Sequence, residues 1–247
     1  MVDAGIILLG SPVGDQQWEG EVIRSRIEKV RNITEHLPHL KDPHTEFVLL
    51  RSCLGLPKVM HLLHSVDPTH HQLLWSDFDR VTREALTRIL GASLTNLQWR
   101  QAKLPVTLGG LGMRAAEDHG AGAHAASLLS SQALVVDLLD LPEDTPVTLS
   151  PALLQQISRC KGEVVIKEDL EDLTQKEISL ATDLNNHILL TEHYIKEGEQ
   201  REVARLNCLG LDHAGDWLNV VPCPSMGLHL RSLEFTLVNR YHLGMNV

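Results

Sequence analysis

Aromatic side chains are scarce in this 247-residue chain, 4% of the total, so aliphatic residues carry the apolar load. No apolar run approaches the roughly 18 residues of a membrane-crossing helix, and no membrane association is expected. The first residues lack a basic stretch and a small-residue cleavage site, so no secretory signal is expected. Four cysteines (Cys53, Cys160, Cys208, Cys223) lie far apart without a CxxC pair. That pattern suits a reduced, intracellular protein better than a disulfide framework and does not separate nucleus from cytoplasm. The sequon Asn32-Ile33-Thr34 is then incidental.

Chemical motifs are missing as well. There is no Walker A loop, no GxGxxG, no GxSxG and no HExxH, and no two aspartates are adjacent. Ser93 has no recognisable base. Fourteen histidines invite a metal hypothesis, with His36/His39 and His61/His64 at i,i+3 and His70-His71 adjacent. A zinc site needs three or four converging ligands, and these histidines read instead as scattered over helix surfaces. The acids of Asp169-Leu170-Glu171-Asp172 read as a solvated face.

What is present begins with 43% hydrophobic residues, enough for one large or two smaller cores. The net charge of -10 is unevenly placed: residues 1–115 hold 13 basic and 12 acidic side chains, residues 116–247 hold 9 and 20. Phosphate affinity comes largely from Lys and Arg, so any nucleic-acid role belongs to the first half.

Along the chain, Gly5 to Gly10 reads as a buried strand stopped by Pro12 and Gly14, which needs partners and hints at a larger domain. From Gln17 to Leu37 the period is helical, with Val22, Ile23, Ile27, Val30, Ile33 and Leu37 on one stripe. Glu28 stands between Arg24 and Arg31 as an ion-pair row on the opposite face. Asp42-Pro43 and Asp67-Pro68 are N-caps with proline at the first helical position. Gly55-Leu56-Pro57 breaks the helix that follows Pro43. Leu74, Phe78, Val81, Ala85 and Ile89 form the core stripe of the next helix, and Ser93 or Thr95 caps a short one through Trp99 to Lys103.

Next comes Leu104-Pro105-Val106-Thr107-Leu108-Gly109-Gly110-Leu111-Gly112-Met113-Arg114, the sharpest local feature. Gly109-Gly110 reads as a tight reversal and Gly112 as a close-approach position, since glycine takes positive φ at little cost. The helix beyond is rich in Ala and Gly, which suits tight packing. Leu141 to Pro146 is the best boundary, Ser150-Pro151 caps another helix, and Glu163 to Leu173 suggests a short exposed strand. Thr174-Gln175-Lys176-Glu177 fits a capping box. More helix covers Glu197 to Leu206, and the last runs from Ser232 to about His242. The fold class expected is mainly α, multi-helix and bundle-like, with a short N-terminal strand. The expected domains are a strand segment (1–14), a helical domain (15–140), a linker (141–150) and an acidic helical domain (151–247).

Three places in this pattern resemble the region after the catalytic palm in reverse transcriptases of non-LTR (LINE-like) retrotransposons. Leu8-Leu9-Gly10 after an apolar strand is similar to the primer grip. Trp99, Gln101, Leu104-Pro105 and Gly109-Gly110-Leu111-Gly112-Met113-Arg114 are similar to the thumb pattern W…LP…GGLG. Trp217-Leu218-Asn219, Gly227-Leu228-His229-Leu230, Glu234-Phe235 and Tyr241-His242-Leu243-Gly244 resemble the segment before a Cys/His zinc module. Family members copy RNA into DNA with two metal ions held by palm aspartates in a Tyr/Phe-x-Asp-Asp motif, which is not in this sequence. The resemblance therefore implies a non-catalytic thumb-and-connector piece. It implies no cofactor of its own, and a divalent metal such as Mg only for the missing palm.

By the same resemblance Leu9, Gly10 and Ser11 lie near a primer terminus. Arg24, Arg31, Arg100, Lys103 and Arg114, chosen for charge and position, contact template–primer backbone. The implied partners are RNA/DNA template–primer, held weakly through the N-terminal half, and other parts of the same polyprotein. Two other readings stand beside it: a helical protein-interaction module derived from such an element, and, distantly, a metal-dependent enzyme using the histidines.

Overall fold

The computed structural model describes residues 5–142, 145–146, 148–164 and 174–245. The acids at 169–172 and most of the strand expected over 163–173 lie outside them. The chain is mainly α, as expected. A two-stranded antiparallel hairpin, β1 (Gly5–Leu8) and β2 (Ser11–Gly14), precedes α1 (Gln16–His36), α2 (Pro43–Leu49), α3 (Met60–Ser65), α4 (Gln72–Leu90) and α5 (Asn96–Lys103). Then follow α6 (Ala116–Leu138), α7 (Pro151–Lys161), α8 (Gln175–Lys196), α9 (Gln200–Leu209) and α10 (Ser232–His242). The helix expected over 197–206 is α9, separate from α8. Contacts divide the chain into two compact units, each of three segments: 1–26, 59–76 and 116–185 in the first, 27–58, 77–115 and 186–247 in the second.

The helix starts follow from local chemistry. Asp42 accepts from the His44 N–H with Pro43 in the first turn. Thr95 and Gln98 form a reciprocal capping box, Ser150 accepts from the Leu153 N–H, and Thr174 and Glu177 bond each other's backbone N–H. Each satisfies donors that a helix start leaves open. Burial opposes ionisation of Asp42, but hydrogen bonds from Thr45 and His229 outweigh it and hold this carboxyl below the usual range.

In the first unit the small residues of α6 do what their size suggests. A Cβ on Gly122 would sit 2.6 Å from Ile178 Cγ2, and one on Gly120 would sit 3.0 Å from Leu63 Cδ2. Ala121, Ala125, Leu149, Leu153, Ile157 and Ile178 make a core there, and α3 packs along α6. The N-terminal strand departs from expectation. It pairs with β2 (Leu8 opposite Ser11, Ile7 opposite Pro12), and its side chains are not buried: Ile6, Ile7 and Leu8 are 59, 50 and 57% exposed. Leu9 (φ 50°) and Gly10 (φ 89°) supply the two positive φ angles that a tight hairpin turn needs. Pro12 is tolerated because a two-stranded sheet consists only of edges.

In the second unit Leu37, Phe47, Leu50, Leu86, Leu90 and Phe235 belong to one buried cluster, and Leu104, Leu190, Tyr194 and Leu206 to another. Of the expected stripe of α4, Phe78, Val81, Ala85 and Ile89 are buried and Leu74 is half-buried. That of α1 is corrected at one step. Thr34 is buried, its Oγ1 donating to the Arg31 carbonyl at 2.8 Å, whereas Ile33 is 42% exposed. At 3.6 residues per turn Ile33 stands about 80° from the stripe's centre, while Thr34 falls on it.

Candidate nucleic-acid interface

The residues singled out from sequence fall in both units. In the first, Leu9 at the hairpin tip is 92% exposed. Ser11, next to the turn, is buried and anchored to α3. Its Oγ donates to Ser65 Oγ at 2.7 Å, and Ser65 donates on to the His61 carbonyl at 2.9 Å. The proton of Ser11 is therefore committed, and His61 Nε2, 2.8 Å away, is the donor in that contact. A serine that receives a hydrogen bond from its histidine is not an activated nucleophile. The cluster anchors the base of the hairpin turn to α3. Arg24, on α1, is exposed.

In the second unit Arg31 is engaged: it contacts Glu28 at 3.3 Å and Asp77 of α4 at 2.9 Å. The expected row on α1 is thus formed by Glu28 with Arg31 and extended across to α4. Arg100 and Lys103 are half-buried on α5, and Arg114 is exposed immediately before α6.

Between Lys103 and Arg114 the glycine segment folds back on the end of α5. Leu111 and Met113 both donate to the Ala102 carbonyl, and Gly112 donates to that of Leu104 at 2.8 Å. The glycines divide the work differently from expectation. Gly109 (φ 76°) ends the turn over Val106–Leu108, and Gly112 (φ 74°) also needs positive φ. Gly110 has no such angle and is the close-approach position: a Cβ there would lie 2.0 Å from the Leu104 carbonyl oxygen.

A buried polar network holds this elbow. Gln101, fully buried, donates from Nε2 to the carbonyls of Gly109 and His242, each at 2.9 Å. Its Oε1 accepts from Arg205 Nη2 at 2.9 Å, and Arg205 also donates to the His242 carbonyl and pairs with Glu202. His242 Nε2 donates to the Gly109 carbonyl at 3.0 Å, with Trp217 edge-on against its ring. Burial lowers the His242 pKa to about 4, the bond to Gly109 opposing and the Arg205 charge reinforcing the shift. The imidazole is therefore neutral at physiological pH. Gln101 and His242 stand within the segments that carry the family resemblance, and these bonds join those segments. Arg205 was not foreseen, because no local pattern links residues 104 positions apart. A groove of about 530 Å³ opens beside it, lined by Arg201, Cys208, Tyr241 and Met245.

The histidines depart from the expectation of a surface scatter. His44, His71, His119, His124 and His242 are buried. Each has a structural partner: Phe235 and His229 stack on His44, Glu19 bonds His71, Asp183 faces His119 at 3.3 Å, and the His64 carbonyl faces His124. Burial first, then the nearby His229, lowers the pKa of His44, and the neutral ring accepts from the Leu230 N–H. Among the described residues no group of three or more His, Cys, Asp or Glu could hold a metal ion, and no helix is long and apolar enough to cross a membrane. In comparisons with known protein families, curated proteins and solved structures, the chain matches none.

Proposed function

We propose that this chain is a non-catalytic, thumb-like piece of a retroelement reverse transcriptase, holding template–primer nucleic acid within a longer protein. The observation that carries the reading is the Gln101–His242–Gly109 network. It supports the proposal because it ties together the two segments whose residues resemble that family. The exposed hairpin tip at Leu9 and the exposed Arg24 and Arg114 are compatible with surfaces that follow a duplex backbone by charge and shape. Chemistry on the nucleic acid would belong to the palm and its metal ions, supplied by another part of the protein.

The test is fluorescence anisotropy of a labelled RNA–DNA template–primer at rising salt. Weak binding that falls steeply with salt is expected. Arg24→Ala, Arg100→Ala and Arg114→Ala should each weaken it and reduce the salt slope by about one counterion. Arg31→Ala should change little, since that guanidinium is held by Glu28 and Asp77. Salt-independent binding would contradict phosphate contact, and nucleotide incorporation by the chain alone would contradict the missing palm. A Tyr/Phe-x-Asp-Asp motif upstream in the same reading frame would support the proposal at the genomic level.

One observation favours a second reading, a helical protein-interaction module derived from such an element. Leu134, Val135, Leu138 and Leu139 near the end of α6 are all exposed, more contiguous apolar surface than scattered single residues present.

A further inference from the structure

Arg51 stands on an unusual piece of backbone. Where α2 ends, Leu50–Leu54 form a turn of π-helix, with the Gly55 N–H donating to the Leu50 carbonyl at 2.6 Å. Such turns are rare and concentrate at functional sites. The Arg51 guanidinium is carried over the buried Phe47 ring, 5.3 Å from its centroid. Its stem lies against the glycine elbow: a Cβ on Gly112 would come 3.3 Å from Arg51 Cδ. Gly112 is two residues from the exposed Arg114.

Arg51 is half-buried, and burial pulls its pKa below the ordinary arginine value, yet arginine stays charged at physiological pH. A charge partly withdrawn from water is normally offset by an acid. Among the described residues Arg51 has no hydrogen bond or ion pair, only the face of Phe47. Stacking uses one face of the planar fork and leaves its edge donors for a ligand, the geometry that takes a phosphate by two parallel bonds. The surroundings are basic. Residues 47–58 and 85–115 contain none of the chain's 32 acids, and together carry Arg51, Lys58, Arg88, Arg100, Lys103 and Arg114. The two stretches pack together, since Leu50, Leu54, Leu90, Leu111 and Met113 share one buried cluster. Acid-free surface with several cations suits the repeated charges of a phosphodiester backbone. We propose that Arg51 is a phosphate-binding residue, its guanidinium holding an oxyanion at the elbow, and that a nucleic-acid backbone supplies that oxyanion. The second clause rests on the function proposed above; the first does not.

Arg51→Met keeps an unbranched apolar stem over Phe47 and removes the charge. With a labelled RNA–DNA template–primer, this variant should bind about tenfold more weakly, by the same factor for different sequences, with the salt slope reduced by about one. Arg51→Lys should restore the slope and only part of the affinity, because an ammonium has no fork. Thermal unfolding separates this role from a structural one: Arg51→Met should melt at or above the wild-type temperature, since no acid loses its partner. In a second arm, inorganic pyrophosphate should raise the wild-type melting temperature above that in chloride of equal ionic strength, and leave Arg51→Met unmoved. Pyrophosphate acting on both alike, or on neither, would overturn the oxyanion site, as would a clearly lower melting temperature for Arg51→Met. Template–primer binding equal in wild type and Arg51→Met would overturn the nucleic-acid source, and so would polyglutamate competing as well as unlabelled template–primer. A wild-type chain that answers to pyrophosphate but binds no template–primer would keep the site and overturn both its assigned source and the function proposed above.

Discussion

Gly110 has an ordinary backbone angle yet accepts a side chain less readily than its glycine neighbours, because the Leu104 carbonyl occupies the Cβ position. Gly110→Ala has to move backbone and should cost more than about 2 kcal/mol, as forced overpacking does. Gly112→Ala meets mainly the unfavourable positive φ, about 1–2 kcal/mol, since Arg51 Cδ at 3.3 Å belongs to a flexible side chain. Urea unfolding of the two variants should rank them in that order; the reverse would place the strain at the wrong glycine. His242 yields a pH prediction. Its folded pKa, about 4, lies below the ordinary histidine value of 6.5, so between them the unfolded chain binds the extra proton. Its contribution is intact above pH 6.5 and declines towards pH 4, by on the order of 3 kcal/mol in all. The unfolding midpoint of wild type should fall over that window, and less so in His242→Leu after its constant loss is subtracted. Three glycines in four residues were legible as a turn. Their separate roles were not, because those depend on Leu104 and Arg51 in space.

Helix starts were the most legible elements, since a cap and its N–H partners lie within one turn. Thr95→Ala removes one side of the box with Gln98 and should cost about 1 kcal/mol, read as a lowered melting temperature. Helix faces were legible except at their margins: Val30→Lys should destabilise strongly and Ile33→Lys hardly at all, Val30 being fully buried and Ile33 at the stripe's edge. Equal effects would return Ile33 to the core. The hairpin was misread for a physical reason. An apolar run of strand length has the same composition whether covered or exposed, and the clue to the turn was a leucine at positive φ, a conformation that residue rarely adopts. The buried histidines were missed because burial was paid for by partners such as Asp183 and the His64 carbonyl, far away in sequence.

At the scale of the whole molecule, sequence order and spatial order part company. Each compact unit draws on three separate segments, and boundaries read from prolines and charge report composition along the chain, not which segments return to which core. The second unit shows the cost of that arrangement. Gln101 and the His242 carbonyl are 141 positions apart, so removing α10 takes away a bond from each of Gln101, Arg205 and Gly109. A chain ending at Arg231 should lose cooperative unfolding and become sensitive to limited proteolysis around the elbow. Retained resistance there would show that the elbow stands without α10.

The same network imposes an order on synthesis. A ribosome delivers the elbow more than 130 residues before it delivers His242, the donor that completes the Gly109 carbonyl's bonds. Until then the polar groups that will be buried with Gln101 must stay hydrated, and loop closure over that span is slow compared with forming any of the helices. The second unit is therefore finished from its C-terminal end, and a nascent chain stalled before α10 should be a client for chaperones.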